Sequence, residues 1–292
     1  MGIWNALFGG KELSAEEEKE EQEAKKFDLL KYDGVKAMKI GQTDYAVRCF
    51  REALKLHDDL EVHDYLSQAL LRLGEFNDAV SELQQLAQAE PENVSIQLRI
   101  AQVAYMAENY ATMGEACERA LQTDADNVEA YYLSAQSQQR QQNPVAAIAM
   151  LTKAVTLKPD FAEGYLLRGQ TLLEMGDATS AANDVAWLVA NVGDHEDVLL
   201  LKARTEAAQG QADDAIATYT TLTEVNPFCI EAYRERGQLR YDRGDKAGAE
   251  ADMQKVLELD PNSLADVSGD YSAEGIEERV RQAYSAVNPL GL

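Results

Sequence analysis

Four prolines set a ruler on this chain. Pro91, Pro159, Pro227 and Pro261 stand 68, 68 and 34 residues apart, and the two unfilled beats fall on Ala125 and Gly193. Other residues keep the same interval. Small side chains recur at Ser67, Ala101, Ala135, Gly169, Ala203 and Gly237, and alanines at Ala79, Ala147, Ala181, Ala215 and Ala249, interrupted by Met113. Glycines fall at Gly74, Gly176, Gly210 and Gly244. Upstream, Gly34, Gly41, Ala46, Phe50 and Ala53 follow the same order with one residue fewer before the next unit. A fixed period of this length means stacked supersecondary units, none of which can bury its apolar face alone.

One unit, Ala162 to His195, shows what is being stacked. Tyr165, Gly169, Leu172 and Leu173 recur at helical spacing up to Met175-Gly176-Asp177. There the glycine can take the left-handed C-cap conformation and the aspartate can cap a second helix. Ala181, Val185, Leu188 and Val189 mark that helix's apolar stripe. Gly169 and Ala181 are expected to be small because the two helices of the hairpin touch there. In sister units a closing proline, as in Asp260-Pro261-Asn262, ends the second helix.

Composition agrees with helices and excludes several functions. The chain is 46% hydrophobic but only 7% aromatic, with 6 prolines in 292 residues. Acids outnumber bases 51 to 27, a net charge of −24. Phosphate backbones are bound by neutralising them with Lys and Arg, so nucleic acid is not an expected partner. Acidity suits a soluble chain, or a protein partner with basic patches. No run approaches the length of apolar sequence needed to span a bilayer. Cys49, Cys117 and Cys229 are scattered and odd in number, which fits neither a disulfide framework nor zinc spacing. The start, Met1-Gly2-Ile3-Trp4-Asn5-Ala6-Leu7-Phe8, lacks the basic region of a secretory signal. These features lead to the expectation of a cytoplasmic protein with reduced cysteines.

The pattern resembles the tetratricopeptide repeat family, in which an aromatic, a Leu-Gly pair and a Tyr are joined to an Ala, an aromatic and a closing Pro. Tyr233, Gly237, Gly244, Ala249 and Pro261 carry it in the last unit, and Gly34, Gly41, Ala46, Phe50 and Ala53 in the first. Glu108, Met113 and Ala125 depart from it in the third unit, and Gln142 and Pro144 in the fourth. The resemblance implies an all-α, right-handed superhelical solenoid of about seven helix-turn-helix units. Their bounds are 27–59, 60–93, 94–127, 128–161, 162–195, 196–229 and 230–263. Before them, residues 1–26 form a segment whose Ser14-Ala15-Glu16-Glu17 has capping-box spacing and opens a glutamate-rich helix. After them, residues 264–292 are expected to hold a capping helix with Ile276, Val280, Ala283, Tyr284 and Val287 on one face.

The functional pattern is a row of glutamines. Gln68, Gln102, Gln136, Gln170 and Gln238 fall on the ruler directly after the small residue, with Arg204 and the offset Val35 as exceptions. In the resembled family the first helices line a concave groove, which implies a ladder of amides along it. A primary amide both donates and accepts, so it can hold an extended peptide's backbone without reading its sequence. Flanking slots add Tyr132, Leu166, Leu200 and Arg234 on one side and Tyr105, Leu173 and Tyr241 on the other. Some of these belong to the core. Tyr131, Tyr165 and Tyr233 take the family's aromatic core slot and are read as structural.

Other constellations carry less. The Lys, Asn and Arg clamp of the family's chaperone adaptors is not supplied, since the corresponding slots hold Lys31, Val35, Tyr65, Ser95 and Arg99. Arg234, Arg236, Arg240 and Arg243, interleaved with Glu231, Glu235 and Asp242, are expected to make a solvated helix with pairs along its own surface. His57-Asp58-Asp59 with His63-Asp64 is where an inter-repeat turn would be polar in any case. Asp266, Ser268, Asp270 and Glu277 echo a calcium loop, but Tyr271 replaces its turn glycine. No phosphate loop, nucleophile elbow or zincin spacing is present. No cofactor, metal or catalytic site is expected. Ile3, Trp4, Leu7 and Phe8 form a short apolar face without the preceding basic residues that would hold it on a membrane.

The expectation is therefore a non-catalytic scaffold or adaptor that holds an extended peptide or partner helix in its groove. The alternative is a structural subunit that joins an assembly, or itself, through residues 3–8 or its convex face.

Overall fold

The computed structural model describes residues 14–261. Among them it shows fourteen helices and no strand. In chain order these are α1 (Ala15–Lys39), α2 (Thr43–Leu54), α3 (Leu60–Leu73), α4 (Phe76–Ala89), α5 (Val94–Met106), α6 (Tyr110–Thr123) and α7 (Val128–Arg140). Then come α8 (Pro144–Leu157), α9 (Ala162–Glu174), α10 (Ala178–Asn191), α11 (Glu196–Ala208), α12 (Ala212–Val225), α13 (Ile230–Asp242) and α14 (Lys246–Leu259). The architecture is an all-α repeat solenoid. Odd-numbered elements are the first helices of successive hairpins, and even-numbered ones the second. The expected capping helix and the Trp4–Phe8 segment lie outside the described residues.

The helix ends are written locally. Ser14 closes a full capping box with Glu17. Asp59, Asn93, Asn109, Asn127, Asp177 and Asp245 each accept a backbone N–H from the first turn of α3, α5, α6, α7, α10 and α14. Each such cap is worth roughly 1 kcal/mol. Pro144, out of pattern in the repeat, sits at the start of α8, where its missing N–H costs nothing. Gly74 and Gly176 turn at φ of 76° and 79°, whereas Glu108 and Gln142 hold the same slot at 54° and 60°. A side chain in that conformation costs roughly 1–2 kcal/mol. The acidic run leads without a break into the first repeat helix, and the two form the single helix α1.

The chain divides into two compact units, Met1–Gln141 and Gln142–Leu292. The division falls within the 128–161 repeat. The N-terminal unit contains α1 to α7 around one apolar cluster that runs from Phe27 to Leu133. A Cβ on Gly34 would collide with the Phe50 ring, so the glycine is what lets α1 and α2 close. The C-terminal unit contains α8 to α14 and three smaller clusters, centred on Leu188, Tyr219 and Met253. Here Gly169 corrects the reading from sequence. An added Cβ would meet Leu201 of α11 at 2.8 Å before Asp184 of α10 at 3.4 Å. The small residue serves packing of the next repeat more than closure of its own hairpin.

Candidate functional site

The glutamine slot lies on α3, α5 and α7 in the N-terminal unit and on α9, α11 and α13 in the C-terminal unit. First helices touch directly, α1 with α3, α5 with α7, and α9 with α11, as they must to share a face. Each slot residue follows a buried small one (Ser67, Ala101, Ala135, Gly169, Ala203 or Gly237) and so is carried to the border between core and solvent.

The six side chains are not equivalent. Gln68 is half-buried and donates Nε2 to Asp64 Oδ2 at 2.9 Å on its own helix. Gln102 is exposed and donates to Glu129 Oε1 at 2.8 Å, tying α5 to α7. Gln136 and Gln170 are half-buried and make no hydrogen bond among the described residues. Gln238 donates to both oxygens of Asp242, at 3.0 and 3.1 Å, while its buried Oε1 has no partner among the described residues. Arg204 spends its guanidinium on Glu235, with contacts of 2.6, 2.9 and 3.1 Å that cross from α11 to α13.

The flanking slots divide between core and surface. Leu166 and Leu200 pack against the core clusters of the C-terminal unit, Tyr241 against its last one, and Leu173 is buried. Tyr132 is half-buried on α7 and Arg234 half-buried on α13. Tyr105 accepts a hydrogen bond from Arg140 Nη2 at 2.8 Å and meets Tyr110 edge-on. Tyr165 stacks on Trp187 at 4.0 Å and Tyr233 is buried.

The two basic groups at clamp-like slots are engaged. Lys31 bridges Asp59 and Glu61 at 3.1 and 2.6 Å; burial opposes its charge, but the two carboxylates outweigh it and raise the ammonium pKa. Arg99 pairs with Asp64 at 2.7 Å.

The arginine cluster on α13 is a correction. Arg236 is buried and not solvated, and its partners lie on other helices. It forks onto Asp252 of α14 at 2.6 and 3.0 Å and reaches Thr220 and Thr223 of α12 at 3.1 and 2.9 Å. Arg240 joins the same carboxylate at 2.8 Å, and Arg243 pairs with Asp213 at 2.8 Å. The packing of α13 between α12 and α14 sets this, since it points Arg236 inward. Two repeats earlier Arg168 does the same, with Asp184 at 2.6 and 2.9 Å and Thr152 at 3.3 Å. Its Asp184 hydrogen bonds raise the guanidinium pKa further. The sequence carried the signal as an Arg and an Asp sixteen residues apart, twice, one double period removed.

His63 is the other buried charge site. Its Nδ1 lies 2.5 Å from Glu82 Oε2 and its Nε2 2.7 Å from Asp58 Oδ1. Burial opposes its protonation, but the two carboxylates prevail and raise its pKa. Among the described residues no group of side chains forms a metal site. All three cysteines are free and buried, and burial pushes the Cys117 thiol up to about 12. An apolar groove of about 460 Å³ runs between α10 and α11 past Val185 and Val189. Its charged groups, Lys202 and Glu206, pair with each other at 3.6 Å.

The model of the tetratricopeptide repeat matches residues 66–128, 132–191 and 200–263, more than half of the chain. The chain belongs to the tetratricopeptide repeat family. Human protein O-mannosyl-transferase TMTC1 is 21% identical over 253 residues, which are 83% of this chain and 24% of that protein. The chain thus spans about a quarter of the length of this curated relative. Among solved structures, the C-terminal part of a TPR repeat-containing protein from Cytophaga hutchinsonii is similar with a TM-score of 0.64 and 15% identity, covering 85% of this chain and 98% of that one. YrrB, a TPR protein described as having an unusual peptide-binding site, gives a TM-score of 0.52 at 16% identity, covering 62% and 93%. At such identities the likeness is one of fold. Among the described residues no helix is long and apolar enough to cross a membrane.

Proposed function

We propose that this tetratricopeptide protein is a protein-binding scaffold that holds an extended peptide along its first-helix face. The observation that carries the reading is the one slot filled by amides on successive first helices of the N-terminal unit, Gln68, Gln102 and Gln136, with Gln136 unspent among the described residues. Such a row can pair with a peptide backbone at a spacing set by the repeat. The fold typically serves as a non-enzymatic scaffold, and the peptide site named for YrrB is consistent with this use of it. The transferase activity named for TMTC1 belongs to a protein of which the matched stretch is 24%.

The test is a displayed random-peptide library selected on the full chain and re-assayed on Gln68→Ala/Gln102→Ala/Gln136→Ala. Each net hydrogen bond contributes about 0.5–1.5 kcal/mol, so captured peptides should bind the triple variant about tenfold or more weakly, with unchanged helicity and melting. Equal binding by a folded triple variant would refute the reading. A second reading, a subunit that joins others through its surface, is favoured by Phe228, 75% exposed in the turn before α13. Light scattering of wild type and Phe228→Ser decides it: a monomer in both forms removes it.

A further inference from the structure

The slot one turn beyond the glutamine row differs in sign between the two units. In the N-terminal unit it holds Lys39, Arg72, Met106 and Arg140, on α1, α3, α5 and α7. In the C-terminal unit it holds Glu174, Ala208 and Asp242. Lys39, Arg72 and Arg140 are exposed, and Met106 is 55% exposed.

None of these three cations has a carboxylate partner among the described residues. Arg72 Nη1 donates to the Met38 backbone carbonyl at 3.0 Å, which uses one of its five N–H groups. Arg140 donates to Tyr105 Oη and lies 5.5 Å from that ring's centre. Glu108 adds to the field at Arg140 but makes no ion pair with it. At the opposite edge of the same face the acids are mostly spent. Glu61 takes Lys31 at 2.6 Å and the Tyr65 hydroxyl at 2.7 Å. Asp64 takes Arg99 and Gln68, and Glu129 takes Gln102; Asp28 stands unpaired at that far edge. In a chain of net charge −24, the edge beyond the amide row in the N-terminal unit is positive, while Asp28 and Glu129, whose bond from the neutral Gln102 cancels no charge, keep the opposite edge negative.

Helix dipoles do not account for it. A cation at a helix C-terminus gains about 0.3–1 kcal/mol, but α9 and α13 carry Glu174 and Asp242 in the same place, against their dipoles. Between Arg72 and Arg140 the surface is Tyr105 and Met106, an apolar step between two planar forks that suit carboxylates.

We infer that this edge of the N-terminal unit selects acidic peptides: carboxylates on Arg72 and Arg140, with an apolar side chain between them on Tyr105 and Met106. Packed helices lie roughly 8–10 Å apart, so the two arginines, two first helices apart, are separated by roughly 16–20 Å. An extended chain covers that distance in about five or six residues, which fixes the spacing of the acids. Ionic screening over about 8 Å at physiological salt makes the local pairing outweigh the distant negative charge of the chain.

The inference rests on the groove reading, and its test separates the two. Peptides selected from the displayed library on the full chain should be enriched in acids about five or six positions apart around an apolar residue. Their affinity should fall about a hundredfold in Arg72→Glu/Arg140→Glu and about tenfold in Arg72→Gln/Arg140→Gln, and should weaken with added salt. The glutamine pair guards against loss of folding, since it keeps a donor for the Met38 carbonyl, and thermal melting of both variants is recorded. Selected peptides without acid enrichment, binding both arginine variants as tightly as wild type, overturn the inference but leave the groove reading standing. Failure to select any peptide overturns both. A single-stranded oligonucleotide that outcompetes the peptides at these arginines overturns the inference as well.

Discussion

In the N-terminal unit, Leu66 and Ile100 occupy the first-helix slot that faces inward, and both are almost fully buried. In the C-terminal unit the same slot is Arg168, Lys202 and Arg236. Across from it, sixteen residues on, Ala116 follows Ile100, whereas Asp184 follows Arg168 and Asp252 follows Arg236. Glu82 after Leu66 and Thr218 after Lys202 stand outside this exchange, Glu82 being taken by His63 and Lys202 by Glu206 of its own helix. One unit is held by a continuous apolar cluster, the other by smaller clusters with forked ion pairs set between them. The repeat geometry is the same. The lesson is that a tetratricopeptide hairpin needs complementary filling at this point, and either hydrocarbon or a fully hydrogen-bonded charge pair supplies it. The pair specifies its partner by geometry, whereas hydrocarbon contributes mainly by area.

The largest effect should come from breaking a pair on one side only. Asp252→Ala leaves Arg236 buried without its carboxylate and should destabilise the C-terminal unit by about 3–5 kcal/mol, read from urea unfolding. Adding Arg236→Ile to Asp252→Ala recreates the Ile100/Ala116 pair of the other unit and should recover most of that loss. If the double variant is no more stable than the single one, the two fillings are not interchangeable and the comparison fails. The same substitutions should leave the unfolding of the N-terminal unit unchanged.

Next in size is a change in the apolar unit. Gly34→Ala drives a methyl into the Phe50 ring and should cost about 1–3 kcal/mol by overpacking. An unchanged melting temperature would show that the α1–α2 contact yields more readily than its geometry states. The turn slot gives a smaller effect of opposite sign. Glu108→Gly relieves a left-handed side chain and should stabilise by about 1 kcal/mol, while Gly74→Ala in the same slot should cost a similar amount. Chemical unfolding of both variants checks the pair.

His63 adds a pH-dependent element to the apolar unit. Burial opposes its charge, but Glu82 and Asp58 raise its pKa above the ordinary 6.5. The stability it contributes is therefore fully present below that ordinary value and is lost as pH rises through the raised one. Urea midpoints of wild type should fall across that interval relative to His63→Gln. Parallel curves for the two proteins would remove the carboxylate clamp as a source of stability.

Much of this was legible before any coordinates. The ruler gave the hairpins, the capping residues gave the helix starts, and the left-handed turn slot was visible from its glycines. The amide slot was legible as a position too, but the state of each amide was not. Gln102 is tied to Glu129 and Gln238 to Asp242, whereas Gln136 is left open among the described residues, and nothing in the identity of a glutamine distinguishes them. The basic edge at Lys39, Arg72 and Arg140 was readable on the same ruler. What hid it was the fate of its neighbours, since only pairing shows which charges on a face remain unspent.

The sequence by itself determined the period, the two helices of each repeat, their ends and the inward stripe, because all of these follow from contacts within a few residues along the chain. Tertiary structure alone decided that Arg236 is buried and Arg72 exposed, that His63 sits between two carboxylates, and that Gly169 makes room for Leu201. Such outcomes depend on which helix packs opposite, at distances set by the neighbouring repeat. An arginine's long stem can serve a core or a surface equally well until that neighbour is in place.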